Sequence, residues 1–185
     1  MEGLTDRPIN HGGYAMYRKP REQEQTISIL VNNQPGVLSR VAGVFGRHGY
    51  NIKSLCVAET TNPEVSRITL TSESDPDFTE KIKKQLDKLV DVIEVSDLSG
   101  QAFIQRELML IGITIQEGAH SEILRAIEMF GCRIVTMSPD YFILEITGHQ
   151  DETAAVLKYF QSSGVEEINR TGSIAVQRHR PKEKI

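Results

Sequence analysis

Residues 26–58 read TISILVNNQPGVLSRVAGVFGRHGYNIKSLCVA, and the order of signals in this stretch settles the local architecture. Thr26, Ile27, Ile29 and Val31 are β-branched and favour a strand, which Pro35 and Gly36 break. Val37, Leu38, Val41, Val44 and Phe45 then recur at helical spacing until Gly49. A strand therefore passes through Asn33-Gln34-Pro35-Gly36 directly into an amphipathic helix, and a second strand follows. N–H groups at a helix start lack partners inside the helix, and with the positive end of the helix dipole they favour a carboxylate or phosphate. The same residues also suit an ordinary turn into a helix, which is the commoner use of Asn, Pro and Gly.

Working outward, residues 1–25 are rich in Gly, Pro, Arg and Glu without apolar periodicity and read as a flexible N-terminal extension. The spacing predicts strands at 26–32, 50–59, 64–72 and 91–98 and a helix at 37–48. Asp75-Pro76-Asp77 starts a second helix whose apolar face is Phe78, Ile82, Leu86 and Leu89. The order β-α-β-β-α-β closes into a four-stranded antiparallel sheet with both helices on one face, the ferredoxin-like arrangement.

The second half repeats the grammar. Strand patterns run at 103–116, on both sides of Ser138-Pro139-Asp140, and at 164–170 and 172–178, with helices at 119–130 and 150–162. The fold class is thus α+β, two tandem ferredoxin-like domains at 26–99 and 100–178 with a tail at 179–185. Ser99-Gly100 is too short for an independent linker, so the halves are expected to be coupled by contact or through partner chains.

The chain of 185 residues has a formal net charge of −4 and a sequence pI near 5.8. That balance gives no general attraction for polyanions and speaks against a nucleic-acid or anionic-membrane partner. No apolar run has the length of a signal sequence or a bilayer span, so a cytoplasmic location is expected. Cys56 and Cys132 lie in apolar runs without Cys-x-x-Cys spacing and read as reduced core thiols. His11, His120, His149 and His179 are scattered without metal-site spacing, and His48 sits where a cation favours a helix end. No Ser-His-Asp or Cys-His grouping can be made and no two carboxylates pair as acid and base, so no catalytic residue is assigned.

Asn33-Gln34-Pro35-Gly36-Val37-Leu38-Ser39-Arg40-Val41, followed by Arg47-His48-Gly49-Tyr50-Asn51-Ile52-Lys53-Ser54-Leu55, strongly resembles the ACT domain of the small, regulatory subunit of acetolactate synthase. Ser66-Arg67, Lys84-Gln85-Leu86-Asp87-Lys88-Leu89-Val90-Asp91-Val92 and Arg106-Glu107-Leu108-Met109-Leu110 look like the same family, and the resemblance spans roughly residues 26–178. It implies a chain without chemistry of its own that binds the large, thiamine-diphosphate-dependent subunit. Such a chain raises the large subunit's activity and makes it sensitive to branched-chain amino acids, most often valine. Thiamine diphosphate, magnesium and FAD would then belong only to the catalytic partner, and the sequence indeed has no Gly-Asp-Gly of a diphosphate site.

For a valine-like effector, the backbone N–H groups of Gly36, Val37 and Leu38 would meet the carboxylate. Asn33 and Asn51 match the family's ligand-site asparagines, with an amide oxygen for the ammonium and an NH₂ for the carboxylate. Ile52 would supply apolar contact. ACT sheets of two copies commonly pair side by side, which places this site at a homodimer interface. In the second half Gln116-Glu117-Gly118-Ala119 takes the place of Asn33 to Gly36 but lacks the Asn and the Pro-Gly step, so no second amino-acid site is expected. Arg67 suits either a solvent-facing position or the partner surface. A free-standing ACT-type amino-acid sensor is the alternative function. An RNA-binding ferredoxin-like protein is a weaker one, because Ser66-Arg67-Ile68-Thr69-Leu70-Thr71 lacks stacking aromatics.

Overall fold

The computed structural model describes residues 24–73, 78–99 and 102–178. The N-terminal extension to residue 23, the helix start at Asp75-Pro76-Asp77, Gly100 of the junction and the tail 179–185 lie outside the described residues. The first unit runs β1 (Glu24–Asn32), α1 (Val37–Arg47), β2 (Ile52–Glu59), β3 (Val65–Glu73), α2 (Phe78–Leu86) and β4 (Val92–Asp97). Its strands form an antiparallel sheet in the order β2-β3-β1-β4, the ferredoxin-like arrangement expected.

Alternation along β1 sends Ile27, Ile29 and Val31 to the helix side, where they pack with Val41, Val44 and Phe45 of α1 and Phe78, Ile82 and Leu86 of α2. Each such side chain contributes roughly 1.5–3 kcal/mol by leaving water. The helix α2 ends at Leu86 rather than Leu89, because the chain tightens into i→i−3 bonds from Lys88 to Gln85 and Leu89 to Leu86. Leu89 still packs on the core from that turn.

The second unit runs β5 (Phe103–Thr114), α3 (His120–Phe130), β6 (Arg133–Met137), β7 (Tyr141–Gly148), α4 (Gln150–Phe160), β8 (Val165–Arg170) and β9 (Ile174–Gln177). The sheet order β6-β7-β5-β8 repeats that of the first unit, and β9 adds a ladder to the first four residues of β5. His149 caps α4 in a capping box with Glu152. Both cysteines are free and half-buried, and Cys132, read from the sequence as a core thiol, packs against the second core from its edge.

Backbone hydrogen bonds set the two units in register. Asn32 N–H bonds to Asp91 O, Asn33 to Glu64, Val37 to Gln34 and Tyr50 to Phe45; in the second unit Thr114 bonds to Gly164, Ile115 to Asp140, Ala119 to Gln116 and Cys132 to Ile127. Asn33 therefore corresponds to Ile115 and Gly36 to Gly118. The sequence-based alignment of the two loops is off by one residue.

The units touch where the chain kinks between β8 and β9. Ser173 N–H donates to Ser54 Oγ at 2.8 Å, and the buried Gln105 Nε2 donates to Ser173 Oγ at 2.8 Å. At Gly172, with φ 77°, a Cβ would stand 2.8 Å from Ser54 Oγ, so only glycine fits this approach.

Candidate functional site

The loop into α1 ends on Gly36, the helix N-cap, in the left-handed region at φ 82°. No side chain caps this helix start and its first turn carries no acidic residue. Of the three N–H groups expected to face a ligand, that of Val37 is directed to Gln34 O at 3.3 Å, which closes the turn. Those of Gly36 and Leu38 have no backbone partner among the described residues. Val37 is 3% exposed and serves the core, whereas Leu38 is 41% exposed beside the loop.

Asn33 is exposed at the same end of the sheet. Its Nδ2 donates to Glu59 Oε1 at 3.0 Å and to Pro63 O at 2.9 Å, so the NH₂ is turned onto the β2–β3 connection rather than toward the helix start. The side-chain oxygen is the atom left for an ammonium.

Arg40 and Asp91 join this cluster without having been singled out in the sequence. Arg40 stands on the first turn of α1, and helical side chains lean toward the N-terminus. Its Nε and Nη2 bond to Asp91 Oδ2 at 2.8 and 2.6 Å, and its Nη1 lies 3.0 Å from where a Cβ on Gly36 would be. Asp91 is itself held to the strand end by Asn32 N–H donating to its carbonyl at 2.8 Å. The signal was present: Asp91 belongs to the Lys88-Leu89-Val90-Asp91-Val92 run that carried family resemblance without a role.

Asn51 and Ile52 do not meet this cluster within one chain. Ile52 pairs with Ser72 of β3, whereas Asn32 pairs with Val65, seven positions away, or about 23 Å at the usual rise per residue. Asn51 is exposed, its carbonyl accepts from Ser72 Oγ at 2.7 Å, and Ile52 packs on the core edge. The expected site is therefore divided between the two ends of the sheet.

A cleft of about 410 Å³ opens between the units, lined by Lys53, Ser54, Glu107, Asp151, Arg170 and Gly172 among others. Its cations are paired inside the chain, Lys53 with Glu24 at 2.6 Å and Glu73 at 3.2 Å, Arg170 with Glu107 at 3.6 Å. Burial opposes the Lys53 charge, but hydrogen bonds and attraction from Glu24 and Glu73 outweigh it and raise its pKa. Thr153 completes the pairing by donating to Glu107.

The other polar residues find structural partners. Arg67 Nη1 donates to Ser28 Oγ at 2.7 Å across the sheet, His120 Nε2 meets Pro139 O at 2.7 Å, and His48 is the C-cap of α1. Burial pushes the Cys132 thiol up, which disfavours the reactive thiolate. Among the described residues no cluster of three metal-ligating side chains occurs, and no helix is long and apolar enough to cross a membrane.

Two family descriptions match the chain, an AHAS small subunit-like ACT domain over residues 27–94 and a small subunit of acetolactate synthase over residues 106–179. A protein of Archaeoglobus fulgidus named as an acetolactate synthase small subunit is 41% identical over 155 residues, covering 84% of this chain and 97% of that one. The chain belongs to the acetolactate synthase small-subunit family. The Aquifex aeolicus small subunit is 37% identical over 162 residues, covering 87% of this chain and 84% of that one. The crystal structure of the Thermotoga maritima small subunit matches with a TM-score of 0.79 at 36% identity, covering 85% of this chain and 99% of that one. Family membership makes the first unit an ACT domain, and the small-subunit name implies association with a catalytic acetolactate synthase subunit.

Proposed function

We propose that this chain is the cytoplasmic regulatory subunit of acetolactate synthase in branched-chain amino acid biosynthesis. It activates a large catalytic subunit and makes that subunit inhibitable by valine. The thiamine diphosphate, magnesium and FAD sites are assigned to the partner. The observation that carries the effector reading is the division of the site. Asn33, Gly36 and Leu38 lie at one end of the sheet and Asn51 and Ile52 at the other, while β2 is an edge strand.

Two-fold antiparallel pairing of β2 with β2 of a second copy would set the Ile52 end of one chain beside the Glu59 end of the other. Asn33 is hydrogen-bonded to Glu59. The helix start of one protomer would then face Asn51 and Ile52 of its partner, giving a carboxylate site, an ammonium acceptor and a small apolar wall. A ligand spanning both chains binds one dimer geometry better than others and so shifts their populations.

The test is acetolactate formation by the large subunit of the same organism, with and without this chain, each with and without valine. Activation by the chain, and valine inhibition only in its presence, are expected. No change with either addition would overturn the reading in favour of a free-standing amino-acid sensor.

A further inference from the structure

We infer that Arg40 selects for the effector's free carboxylate, with Asp91 as the residue that positions it. This rests on the reading of the Asn33–Leu38 loop as an amino-acid site and adds a residue which that reading did not contain.

The argument begins with geometry. Asp91 takes two corners of the guanidinium, Nε and Nη2, on a single carboxylate oxygen at 2.8 and 2.6 Å. The remaining corner, Nη1, is turned over the bare face of Gly36, where a Cβ would approach it to 3.0 Å. Glycine at this position therefore does two things: it accommodates the left-handed φ of 82°, and it lets a charged donor lie close against the loop backbone. The N–H groups of Gly36 and Leu38, which have no backbone partner among the described residues, belong to the same loop, with no acidic side chain in the helix's first turn to compete.

Chemistry then narrows the ligand. Helix-start amides alone accept any anion or carbonyl oxygen, whereas an arginine donor strengthens with full negative charge on the acceptor. An amino acid with a free carboxylate is favoured over the same compound as an amide or within a peptide. The guanidinium already faces the Asp91 charge and the Arg40 side chain is 46% exposed, so the gain is on the order of tenfold rather than thousandfold.

The brace also explains why the connection before β4 belongs to the site. Asp91 is tied by its carbonyl to Asn32 N–H, one residue before Asn33, so loop and brace move together.

The test compares valine with valinamide by calorimetry on the full chain, for the unsubstituted protein and for Arg40→Gln, Arg40→Lys, Asp91→Asn and Asn33→Ala. Arg40→Gln is expected to lower valine affinity about tenfold and leave valinamide nearly unchanged. Arg40→Lys retains part of the discrimination, Asp91→Asn loses less than Arg40→Gln, and Asn33→Ala weakens both ligands together. Equal weakening of valine and valinamide in Arg40→Gln, or unchanged valine binding, would overturn the Arg40 assignment and leave the site standing. No valine binding by the unsubstituted chain would overturn the site and the assignment with it.

Discussion

At the start of α1, Gly36 at φ 82° is followed by a first turn free of acids and by Arg40 reaching back over the loop; at the start of α3, Gly118 at φ 84° is followed by Glu122. Four backbone bonds of the first unit recur in the second and put the loops in register, yet Ile115, 5% exposed, stands where Asn33 stands, Glu122 where Arg40 stands and Gly164 where Asp91 stands. A Cβ at Gly164 would meet Thr114 O at 2.8 Å, so no side chain can brace the second loop from that position. A strand-turn-helix backbone is thus not in itself an anion site. On the function proposed above, the chemistry comes from a few side chains, and of the two loops only the first carries Asn, Arg and Asp at these places among the described residues.

The largest effects are expected from placing a charge or a truncation in each loop. Gly36→Asp puts a carboxylate where the effector's would lie, within reach of Arg40, and Asp tolerates the left-handed region better than most residues. Valine inhibition of the reconstituted enzyme is expected to vanish. Asn33→Ala would remove the proposed ammonium acceptor and is expected to weaken valine binding by about 1–3 kcal/mol. Gly118→Asp changes neither; if valine bound two sites per chain and Gly118→Asp abolished one, the contrast between the loops would be wrong.

Next is a packing contrast on the strands. The bulges at Leu30/Val31 and Gly112/Ile113 set Gly112 opposite Leu30 in the repeat, but a Cβ at Gly112 would fall 1.9 Å from Tyr141 Oη. Gly112→Ala is therefore expected to cost about 1–3 kcal/mol in urea unfolding. Combining it with Tyr141→Ala should show coupling, since the clash is with that ring. Strictly additive losses would remove the steric account.

A smaller effect separates the outer faces of the two sheets. Thr71 is fully buried and its Oγ1 has no hydrogen-bond partner among the described residues, while its counterpart Thr147 is exposed. Thr71→Val removes an unsatisfied hydroxyl and is expected to raise stability by about 1 kcal/mol, with Thr147→Val close to neutral. A loss at Thr71→Val in thermal unfolding would mean that the hydroxyl has a partner in solution.

The smallest effect concerns Arg133, which stands where Asn51 stands and bonds to Glu145 through Nε at 3.0 Å and Nη2 at 2.5 Å. The hydrogen bond from Arg133 leads in holding the Glu145 carboxyl below its ordinary value, against opposing desolvation and with lesser help from the opposite charge. Stabilisation by a depressed carboxyl is present above its unfolded pKa and is lost as pH falls through its folded one. The slight difference in midpoint between Arg133→Gln and the unsubstituted chain should therefore be seen at neutral pH and close in acid. A gap that persisted in acid would be packing, not charge.

Much of this was legible in residues that act locally. Pro35-Gly36 ended a strand and started a helix wherever the sheet put them, and the β-branched alternation of Thr26 to Val31 chose the buried face. The repeated grammar implied two sheets, and the Asn33–Leu55 run implied the family. Those signals depend on propensity and periodicity over a few residues, so the chain alone carried them.

The one-residue offset between loops, the separation of Asn33 from Asn51 by the length of β3, and the contact of Arg40 with Asp91 across 51 residues were set only by strand register and crossover in the folded molecule. Such relations depend on which distant backbones pair, and a shift of one residue in pairing reverses every side chain, so no local pattern could contain them.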